Sequence, residues 1–300
     1  MHPRITALLH ESLGLSVWSM KKTVLITGCS TGFGLASAKH FAAQGWNVIA
    51  TMRTPSPEQE LVALPGVLVT RLDVQDRTSI DSALKVGVER FGGLDAVVNN
   101  AGFGLHGLFE STPREKILEQ FEVNVFGVMD VIRAALPYFV QRGEGAIVNV
   151  SSGAGVFTLP MISLYCASKF ALEGFSEALS YELTSQNVRV KLVEPGGVVD
   201  THFVSRSAEE QSQNAVPPRY EAFVRATNEV FAKLRNDRAG ATSEEVAKVI
   251  YEAATDTSDR LRYVATEGIK PLVKMRRETS EDAYLAFMRE RFLAKPSPGQ

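Results

Sequence analysis

The chain has 300 residues, of which 45% are hydrophobic and 22% are charged. Its 32 basic and 34 acidic residues give a formal net charge of −2, so no basic excess attracts nucleic acid or an anionic membrane surface. Only two cysteines are present, Cys29 and Cys166, which excludes a disulfide framework and is typical of a reducing compartment. Composition therefore predicts a globular, cytoplasmic protein that does not bind nucleic acid.

The first nineteen residues differ from the rest of the chain. Their leucines are interrupted by His10 and Glu11, whereas a signal peptide needs an unbroken apolar stretch. The segment is too short to span a membrane. Met20 is followed at once by two lysines and a strand pattern, so we predict that residues 1–19 are an extension outside the fold. The alternatives are a packed N-terminal arm and a targeting segment.

From Thr23 onwards, short apolar runs alternate with longer amphipathic patterns. The predicted strands are Thr23–Thr27, Asn47–Met52, Val67–Leu72, Leu94–Asn99, Ala146–Ser151, Val188–Glu194 and Arg262–Ala265. The predicted helices are Phe33–Gln44, Ser79–Phe91, one from a capping box at Thr112–Glu115 through Asn124 towards Gln141, Leu164–Gln186, and one from Thr242 to Ala254. This alternation predicts the α/β class, with residues 20–300 forming a single doubly wound Rossmann-type parallel sheet flanked by helices.

Residues 202–240 break the alternation. They are polar at first, then contain Pro217-Pro218, and then carry apolar residues at Phe223, Val230 and Phe231. In an open α/β sheet, a long insertion after the carboxyl end of a strand lies over the ligand crevice. We therefore predict a helical substrate lid after the sixth strand, at about 202–240, with a floppy surface loop as the alternative.

A glycine-rich turn, Thr27–Gly34, separates the first strand from the first helix. Small residues let the backbone approach a pyrophosphate, and the helix N-terminus presents unpaired N–H groups. Ordinary tight turns also contain glycine, so the position of this turn in a strand–turn–helix unit carries the prediction. The predicted phosphate-binding residues are Gly28, Ser30, Thr31, Gly32, Phe33 and Gly34.

The end of the second strand indicates which dinucleotide is bound. An acidic residue there would accept a hydrogen bond from the 2′-hydroxyl of NAD, but the chain has Arg53 and no carboxylate until Glu58. A guanidinium suits a 2′-phosphate, so NADP(H) is preferred over NAD(H). The alternative is that Arg53 is a solvated strand end.

Tyr165 and Lys169 lie four residues apart on one face of a helix, and Ser152 ends the fifth strand. Hydride transfer to a carbonyl needs a hydrogen bond to the developing alkoxide, which Ser152 can supply, and a proton, which Tyr165 can supply. A nearby ammonium at Lys169 is expected to lower the pKa of the phenol. Each residue also has a purely structural interpretation: Ser152 as a cap, Tyr165 as an amphipathic side chain that fills space in the packing, and Lys169 as a solvated charge.

Together with Asn99–Gly102, these segments resemble the signature set of the short-chain dehydrogenase/reductase family, over about residues 21–200. The stretch Leu164–Phe175 is similar in particular to the branch that contains 17β-hydroxysteroid and retinol dehydrogenases. The resemblance implies that Asn124 extends a proton relay and that Lys169 also binds the nicotinamide ribose. It further implies cofactor contacts from Asp73, Val74, Asn100, Ala101, Gly102, Tyr165, Pro195, Gly196, Val198 and Thr201. The family threonine would fall at position 200, where this chain has Asp200, so either Asp200 takes this contact or it moves one residue on to Thr201.

The function predicted from these observations is hydride transfer between NADP(H) and an apolar ketone, aldehyde or secondary alcohol. The residues expected around the nicotinamide are apolar, which favours an apolar substrate: Phe103, Leu105, Phe109, Val156, Phe157, Leu159 and Phe203. The resemblance implies a homodimer or homotetramer that pairs through Asn124–Gln141 and Leu164–Gln186. No metal site and no membrane span are expected. The alternatives are a non-catalytic NADP(H)-binding regulatory protein and a lyase or epimerase on the same scaffold.

Overall fold

The structure, a computed structural model, describes residues 21–198, 216–236 and 241–292. Several predictions lie outside these ranges: the extension at 1–19, the contact of Thr201, the pocket residue Phe203, and the parts of the lid at 202–215 and 237–240. The described part contains a seven-stranded sheet in which each neighbouring pair of strands is parallel. The strands are β1 (Thr23–Ile26), β2 (Asn47–Met52), β3 (Val67–Arg71), β4 (Ala96–Asn99), β5 (Gly145–Val150), β6 (Val188–Glu194) and β7 (Arg262–Val264).

The strand order is β3-β2-β1-β4-β5-β6-β7, which confirms the predicted doubly wound topology. The chain runs outwards from β1 to β3 and then returns to place β4 on the other side of β1. In such sheets, ligands bind in the crevice at the carboxyl ends of the strands where the order reverses. The candidate site is therefore expected where β1 and β4 end.

Nine α-helices occur in the described ranges. They are α1 (Gly32–Ala43), α2 (Arg77–Phe91), α3 (Arg114–Phe121), α4 (Gly127–Arg142), α5 (Ser163–Thr184), α6 (Glu221–Asn236), α7 (Ser243–Thr255), α8 (Lys270–Glu278) and α9 (Glu281–Phe292). The capping box predicted for α7 is present, because Thr242 Oγ1 accepts from the Glu245 amide and the Glu245 carboxylate accepts from the Thr242 amide. The predicted helical character of the lid is confirmed over α6.

Helices cover both faces of the sheet because its strands are apolar on both sides. In β1, Val24 and Ile26 pack into a core shared with α1 and α7, whereas Leu25 faces the core shared with α2, α4 and α5. Successive strand residues point to opposite faces, so a fully apolar strand needs a layer on each side. A third apolar cluster joins the segment after β5 to α6, α8 and α9.

The helix that begins at Arg114 is interrupted at Asn124. A π-helical turn, Glu122–Phe126, separates α3 from α4, although the helical rod continues from Arg114 to Arg142. Single π-turns inside α-helices occur frequently at functional sites. The predicted capping box was wrong: Pro113 occupies the N-cap position, and the Thr112 hydroxyl donates instead to the Leu108 carbonyl, 2.8 Å away.

This rod is long and apolar enough, with a mean hydropathy of 1.4, to fit a membrane span by length and composition alone. Core helices of soluble proteins satisfy the same criteria. Here Val131 and Phe139 are fully buried against the sheet, so one face of the rod forms part of the core. The criterion is therefore weak evidence for a membrane.

Candidate active site

The glycine-rich turn after β1 has a backbone that other residues would not adopt. Gly28 and Gly32 have φ values of +74° and +56°, in the left-handed region that favours glycine. A Cβ at Gly34 would lie 2.2 Å from the carbonyl oxygen of Gly28. The first turn of α1 is therefore pressed against the end of β1, and the turn around it presents backbone rather than side chain.

Thr27 ties this turn to the segment after β4. Its hydroxyl oxygen accepts from the backbone N–H groups of Asn100 and Ala101, at 3.0 Å in each case. In return, the Asn100 side-chain amide donates to the carbonyl oxygens of Thr27 and Gly28, at 2.9 and 3.2 Å. The predicted cofactor residues on both sides of the topological switch are thus brought together.

Arg53 and Asp73 follow β2 and β3 at the same edge of the sheet. Arg53 is exposed and forms no salt bridge with a described residue, which leaves its guanidinium available to an anion. The Asp73 amide donates to Ser79 Oγ over 2.9 Å, which fixes this turn to the start of α2. Val74, 7% exposed, packs against Gly127 of α4.

Asn124 lies in the π-turn and is hydrogen-bonded to the segment after β4 that contains Phe103. Its Oδ1 accepts from the Phe103 amide over 3.1 Å, and its Nδ2 donates to the Phe103 carbonyl over 2.8 Å. Nδ2 also lies 3.1 Å from the hydroxyl of Ser168 on α5. A Cβ at Gly102 would lie 3.1 Å from Asn124 Oδ1 and 3.8 Å from Lys169 Nζ, so this glycine keeps the crevice open beside both side chains.

Ser152, Tyr165 and Lys169 meet where β5 ends and α5 begins. The side chains of Ser152 and Tyr165 are hydrogen-bonded, and Ser152 Oγ also accepts from the Ala154 amide over 3.1 Å. Lys169 Nζ lies 5.8 Å from the centre of the Tyr165 ring and donates to the Val150 carbonyl over 2.9 Å. Tyr165 and Lys169 are only 8% and 6% exposed.

The net shift of the Tyr165 pKa in this structure is upward, which is opposite to the predicted lowering. Burial raises the pKa of Tyr165 to about 12, because an apolar environment disfavours the phenolate, and the hydrogen bond with Ser152 opposes this only in part. Burial also lowers the pKa of Lys169 to about 8. Desolvation dominates both groups, and the lysine nitrogen is directed at a carbonyl oxygen. Tyr165 is therefore a neutral phenol, which is the form that donates a proton.

The residues predicted after β6 lie beside the same edge. The Pro195 carbonyl accepts from the Gly153 amide over 2.8 Å, and the Gly196 amide donates to Thr266 Oγ1 over 2.9 Å. Val198 is buried. These contacts hold the segment after β6 next to the segment that follows Ser152.

Only some of the apolar residues predicted to line the crevice are buried there. Phe103 and Leu105 are buried, but Phe109 is 66% exposed, because it lies on a short 3₁₀ turn, Phe109–Ser111, that projects from the sheet edge. Val156 and Phe157 pack against α8 and α9 in the third apolar cluster, with Leu159 at its border. The C-terminal helices, which the sequence did not indicate, therefore contribute to this side of the crevice.

Helix α6 and the residues just before it contact the segment after β4. Arg219, just before α6, forms an ion pair with Glu110, and the ring of Phe231 on α6 lies 6.0 Å from that of His106. These contacts join the described part of residues 202–240 to the segment that contains His106 and Glu110.

Four residues of this region were missed by sequence reasoning. Thr27 and Gln120 act through buried hydrogen bonds, the latter to the Phe103 carbonyl over 2.9 Å, and only the fold reveals them. Ser168 stands inside the Tyr165–Lys169 segment, and Glu173 follows Lys169 at helical spacing, so both positions carried a signal.

The residues present fit a dinucleotide cofactor. The glycine turn and the N-terminus of α1 offer backbone N–H groups to phosphates, the exposed Arg53 lies at one end, and the cleared space above Gly102 lies at the other beside Lys169. Among the described residues, no group of three or more His, Cys, Asp or Glu side chains has an arrangement that could hold a metal ion.

Comparison with known families agrees with this geometry. The model of the short chain dehydrogenase family matches residues 22–212, which is more than half of the chain. The chain belongs to the short-chain dehydrogenase family. The match includes the glycine turn and the Ser152, Tyr165 and Lys169 positions. This short-chain dehydrogenase is accordingly an oxidoreductase.

Its relatives include proteins of distant organisms. An uncharacterized oxidoreductase of Schizosaccharomyces pombe is 35% identical over 80% of this chain and 98% of its own length. Human 17-beta-hydroxysteroid dehydrogenase type 1 is 35% identical over 85% of this chain and 81% of its own length. The resemblance noted from Leu164–Phe175 thus extends over most of the chain.

Solved structures of short-chain dehydrogenases have the same architecture. One from Streptomyces avermitilis is 30% identical, covers 91% of this chain and 96% of its own, and superposes with a TM-score of 0.75. ElxO with NADP bound (25% identical, TM-score 0.69) covers 83% of this chain and 98% of its own. A Burkholderia phymatum enzyme in complex with NAD (25% identical, TM-score 0.72) covers 92% and 98%. The dehydrogenase described here therefore uses a nicotinamide cofactor.

Proposed function

We propose that this dehydrogenase transfers a hydride between NADP(H) and an apolar ketone or aldehyde, or the corresponding alcohol, with Tyr165 as general acid and base. The observation that carries the proposal is the meeting of Ser152, Tyr165 and Lys169 at the carboxyl edge of the sheet. They lie beside the space that Gly102 keeps open next to the predicted cofactor crevice. A carbonyl placed there has a proton donor and a hydrogen-bond donor at hand.

In the reductive direction, the nicotinamide supplies the hydride when bound. Negative charge then develops on the carbonyl oxygen, and hydrogen bonds directed at that oxygen lower the barrier. The Ser152 hydroxyl holds the oxygen, and the Tyr165 hydroxyl donates its proton to it. Because burial keeps the pKa of Tyr165 at about 12, the phenol carries its proton at neutral pH.

The proton that Tyr165 donates is replaced through neighbouring side chains, Lys169 and Asn124. The Lys169 ammonium favours the phenolate left after proton transfer, since an opposite charge nearby stabilises the charged form. With a pKa of about 8, Lys169 can also release a proton near neutral pH. We assign to Asn124 the continuation of this relay, supported by its place in the π-turn and its contacts with Phe103 and Ser168.

The preference for NADP(H) rests on Arg53. Its guanidinium is exposed at the end of β2 and has no carboxylate partner among the described residues, so it can pair with a 2′-phosphate. Met52 before it is apolar, and no acidic side chain follows until Glu58. An acidic residue at this position would repel that phosphate.

The apolar substrate class is supported by the side chains along the crevice. Phe103 and Leu105 lie in the segment after β4, and Val156 and Phe157 lie after β5. The human relative is named for a hydroxysteroid, which is an apolar alcohol. Pockets with many apolar residues and few polar ones select apolar ligands and orient them through those few polar groups.

The test is a panel of apolar ketones and aldehydes, with NADPH oxidation followed by absorbance. Wild-type protein should reduce at least one class, and Tyr165→Phe should lose at least about 100-fold in kcat, because general acid catalysis is removed. Tyr181→Phe, on the exposed face of α5, is the matched control and should retain full activity. Equal turnover by the wild-type protein and Tyr165→Phe would reject the mechanism.

We also propose a homodimer or homotetramer located in the cytoplasm. Support for pairing comes from large apolar side chains that are exposed on α3, α4, α5 and the π-turn. They are Leu118, Phe126, Val140, Phe170 and Tyr181. Exposed apolar side chains on neighbouring helices favour burial against another surface.

A further inference from the structure

A cluster of buried charges lies next to Lys169, and the reaction proposed above does not use it. Glu173 follows Lys169 by one helical turn in α5, and each residue is 6% exposed. Glu194, the last residue of β6, is fully buried. Arg262, the first residue of β7, reaches both carboxylates. Buried charges of this kind are costly unless they are paired, so their arrangement calls for a physical reason.

Arg262 fixes the position of Glu173. Its Nε lies 2.9 Å from Glu173 Oε2 and 3.6 Å from Glu194 Oε1, and its Nη2 lies 2.5 Å from Glu177 Oε2. Arg277 of α8 pairs with Glu194 from the other side. Two arginines from the C-terminal part of the chain thus face three carboxylates on α5 and β6.

Close packing at Gly155 holds the side chain of Glu173 and the backbone of Lys169 against the segment that follows β5. A Cβ at Gly155 would lie 2.9 Å from Glu173 Cγ, 3.2 Å from the Lys169 carbonyl oxygen and 2.8 Å from Ser151 Oγ. Only a glycine leaves room for α5 to approach the end of β5 this closely. Lys169 Nζ donates to Val150, the residue before Ser151, so the lysine and the glutamate contact the same strand end.

Lys169 has no salt bridge with a described residue, although its side chain is buried. Burial lowers its pKa to about 8, and the charge of Glu173 is the influence that opposes this. An uncompensated buried ammonium would lose its proton more readily still. Glu173 is therefore the residue whose charge favours the protonated lysine.

We propose that Glu173 is a positioning residue whose carboxylate keeps Lys169 in its ammonium form, with Arg262 holding that carboxylate in place. The inference rests on the role proposed above for Lys169. The groups that face Glu173 are Ser151 just after β5, Glu194 from β6, Arg262 from β7 and Lys169 from its own helix. Strand β7 thereby contributes to the protonation state of the lysine through the contact of Arg262 with Glu173.

The signs of these influences agree with the proposal. Burial and the neighbouring Glu194 raise the pKa of Glu173, whereas Ser151 and Arg262 lower it. The ion pair with Arg262, whose Nε lies 2.9 Å from Glu173 Oε2, favours the ionised carboxylate, and that charge in turn raises the pKa of Lys169. Without that charge, burial is the remaining influence on the pKa of Lys169, and burial favours the neutral lysine.

The test measures the titration of Lys169 directly in the full-length chain, by NMR of ¹³Cε-labelled lysine, with the signal assigned from its absence in Lys169→Met. In Glu173→Gln the midpoint should fall by roughly one pH unit, as expected for removal of a nearby opposite charge. Glu177→Gln is the matched control, because Glu177 also pairs with Arg262 but is more exposed. In this variant the titration midpoint of Lys169 should stay at the wild-type value. An unchanged midpoint in Glu173→Gln, or an equal fall in Glu177→Gln, would overturn the proposal.

A second variant keeps the test decisive if Glu173→Gln does not fold. Glu173→Asp retains the charge but withdraws it by one methylene, so its midpoint should fall by a smaller amount, and an unchanged midpoint overturns the proposal. In the active enzyme, the loss of kcat at high pH should begin at lower pH in Glu173→Gln. If no carbonyl is reduced by the wild-type protein, the proposed function fails while the NMR titration still decides the role of Glu173.

Discussion

The side-chain nitrogen of Lys169 donates to the carbonyl oxygen of Val150 over 2.9 Å, which joins the first half of α5 to the last residue of β5. Ser152 follows Val150 by two residues, so the serine and the lysine are positioned by the same strand end. Tyr165, one turn before Lys169, is hydrogen-bonded to Ser152. The relative placement of the three side chains is thus fixed by the packing of one helix on one strand.

Replacement of Lys169 by methionine should stabilise the fold while it abolishes turnover. Burial lowers the pKa of Lys169 from 10.5 to about 8, so between these values the unfolded chain binds more protons and stability rises with pH. At pH 7 the folded wild-type protein therefore carries a buried ammonium at a cost that methionine lacks. Urea unfolding at pH 7 should show Lys169→Met to be more stable by about 1 to 2 kcal/mol.

The pH dependence supplies the control for this prediction. The difference in unfolding free energy between the two proteins should shrink as the pH is raised from 8 towards 10.5, because the wild-type lysine is then neutral in the folded state. A constant difference across this range would contradict the assigned cause.

Gly34→Ala should disrupt the crevice, because its Cβ would lie 2.2 Å from the Gly28 carbonyl oxygen, which belongs to rigid backbone. We expect a loss of several kcal/mol in stability, on the order of 3 kcal/mol, and no detectable binding of NADPH by fluorescence titration. Gly174→Ala is the control, since that helical glycine has nothing within 4 Å of its added Cβ. The control should gain up to about 1 kcal/mol and bind NADPH normally.

Arg53→Ala should weaken NADPH much more than NADH. Loss of a charge-assisted hydrogen bond of about 1.5 to 3 kcal/mol corresponds to a rise of roughly 10- to 100-fold in the KM for NADPH. Steady-state kinetics with both cofactors checks this, and Arg133→Ala, an exposed arginine on α4, is the control. Equal weakening of the two cofactors would refute the preference for NADP(H).

Arg262→Gln should lower the free energy of unfolding by about 3 kcal/mol, because it leaves Glu173 buried without an arginine partner and Glu194 paired with Arg277 alone. Urea denaturation measures the loss. Lys85→Gln removes one partner of an exposed pair on α2 and should change stability by less than about 0.5 kcal/mol. Equal effects of the two substitutions would show that the buried cluster has no special role.

Val140→Lys should weaken self-association if the apolar side chains of α4 and α5 form the interface. Light scattering at several protein concentrations should show a shift towards monomer, because a charge would be buried against an apolar surface. Val62→Lys, on the 3₁₀ turn Glu60–Ala63, is the control, as its valine is exposed to a similar degree, 51% against 54%. A wild-type monomer would reject the proposed oligomer.

The sequence predicted the order and type of the seven strands because apolar runs and helical spacing are local signals. The two-sided burial of β1, for example, can be read from Val24, Leu25 and Ile26 alone. The local signal at Thr112 gave a wrong prediction, because the Thr112 hydroxyl donates to the Leu108 carbonyl instead of capping the helix. Local signals also gave no sign of the π-turn at Asn124.

The protonation of the site residues was harder to predict than their identity. The residues Ser152, Tyr165 and Lys169 could be found from their types and spacing. The raised pKa of Tyr165 depends on how deeply the ring is buried, which only the packed structure decides. The role of Glu173 likewise depends on Arg262, 89 residues further along the chain.

The hydrogen bonds of Thr27 have a consequence for the order in which the protein forms. A single hydroxyl oxygen accepts from backbone amides 73 and 74 residues later in the chain, so the glycine turn reaches its final shape only after β4 has been added to the sheet. During synthesis from the N-terminus, we therefore expect the first βα unit to leave the ribosome before it can bind a nucleotide. Competence to bind a nicotinamide cofactor is then expected to arise late, as a property of the assembled half-sheet rather than of the turn itself.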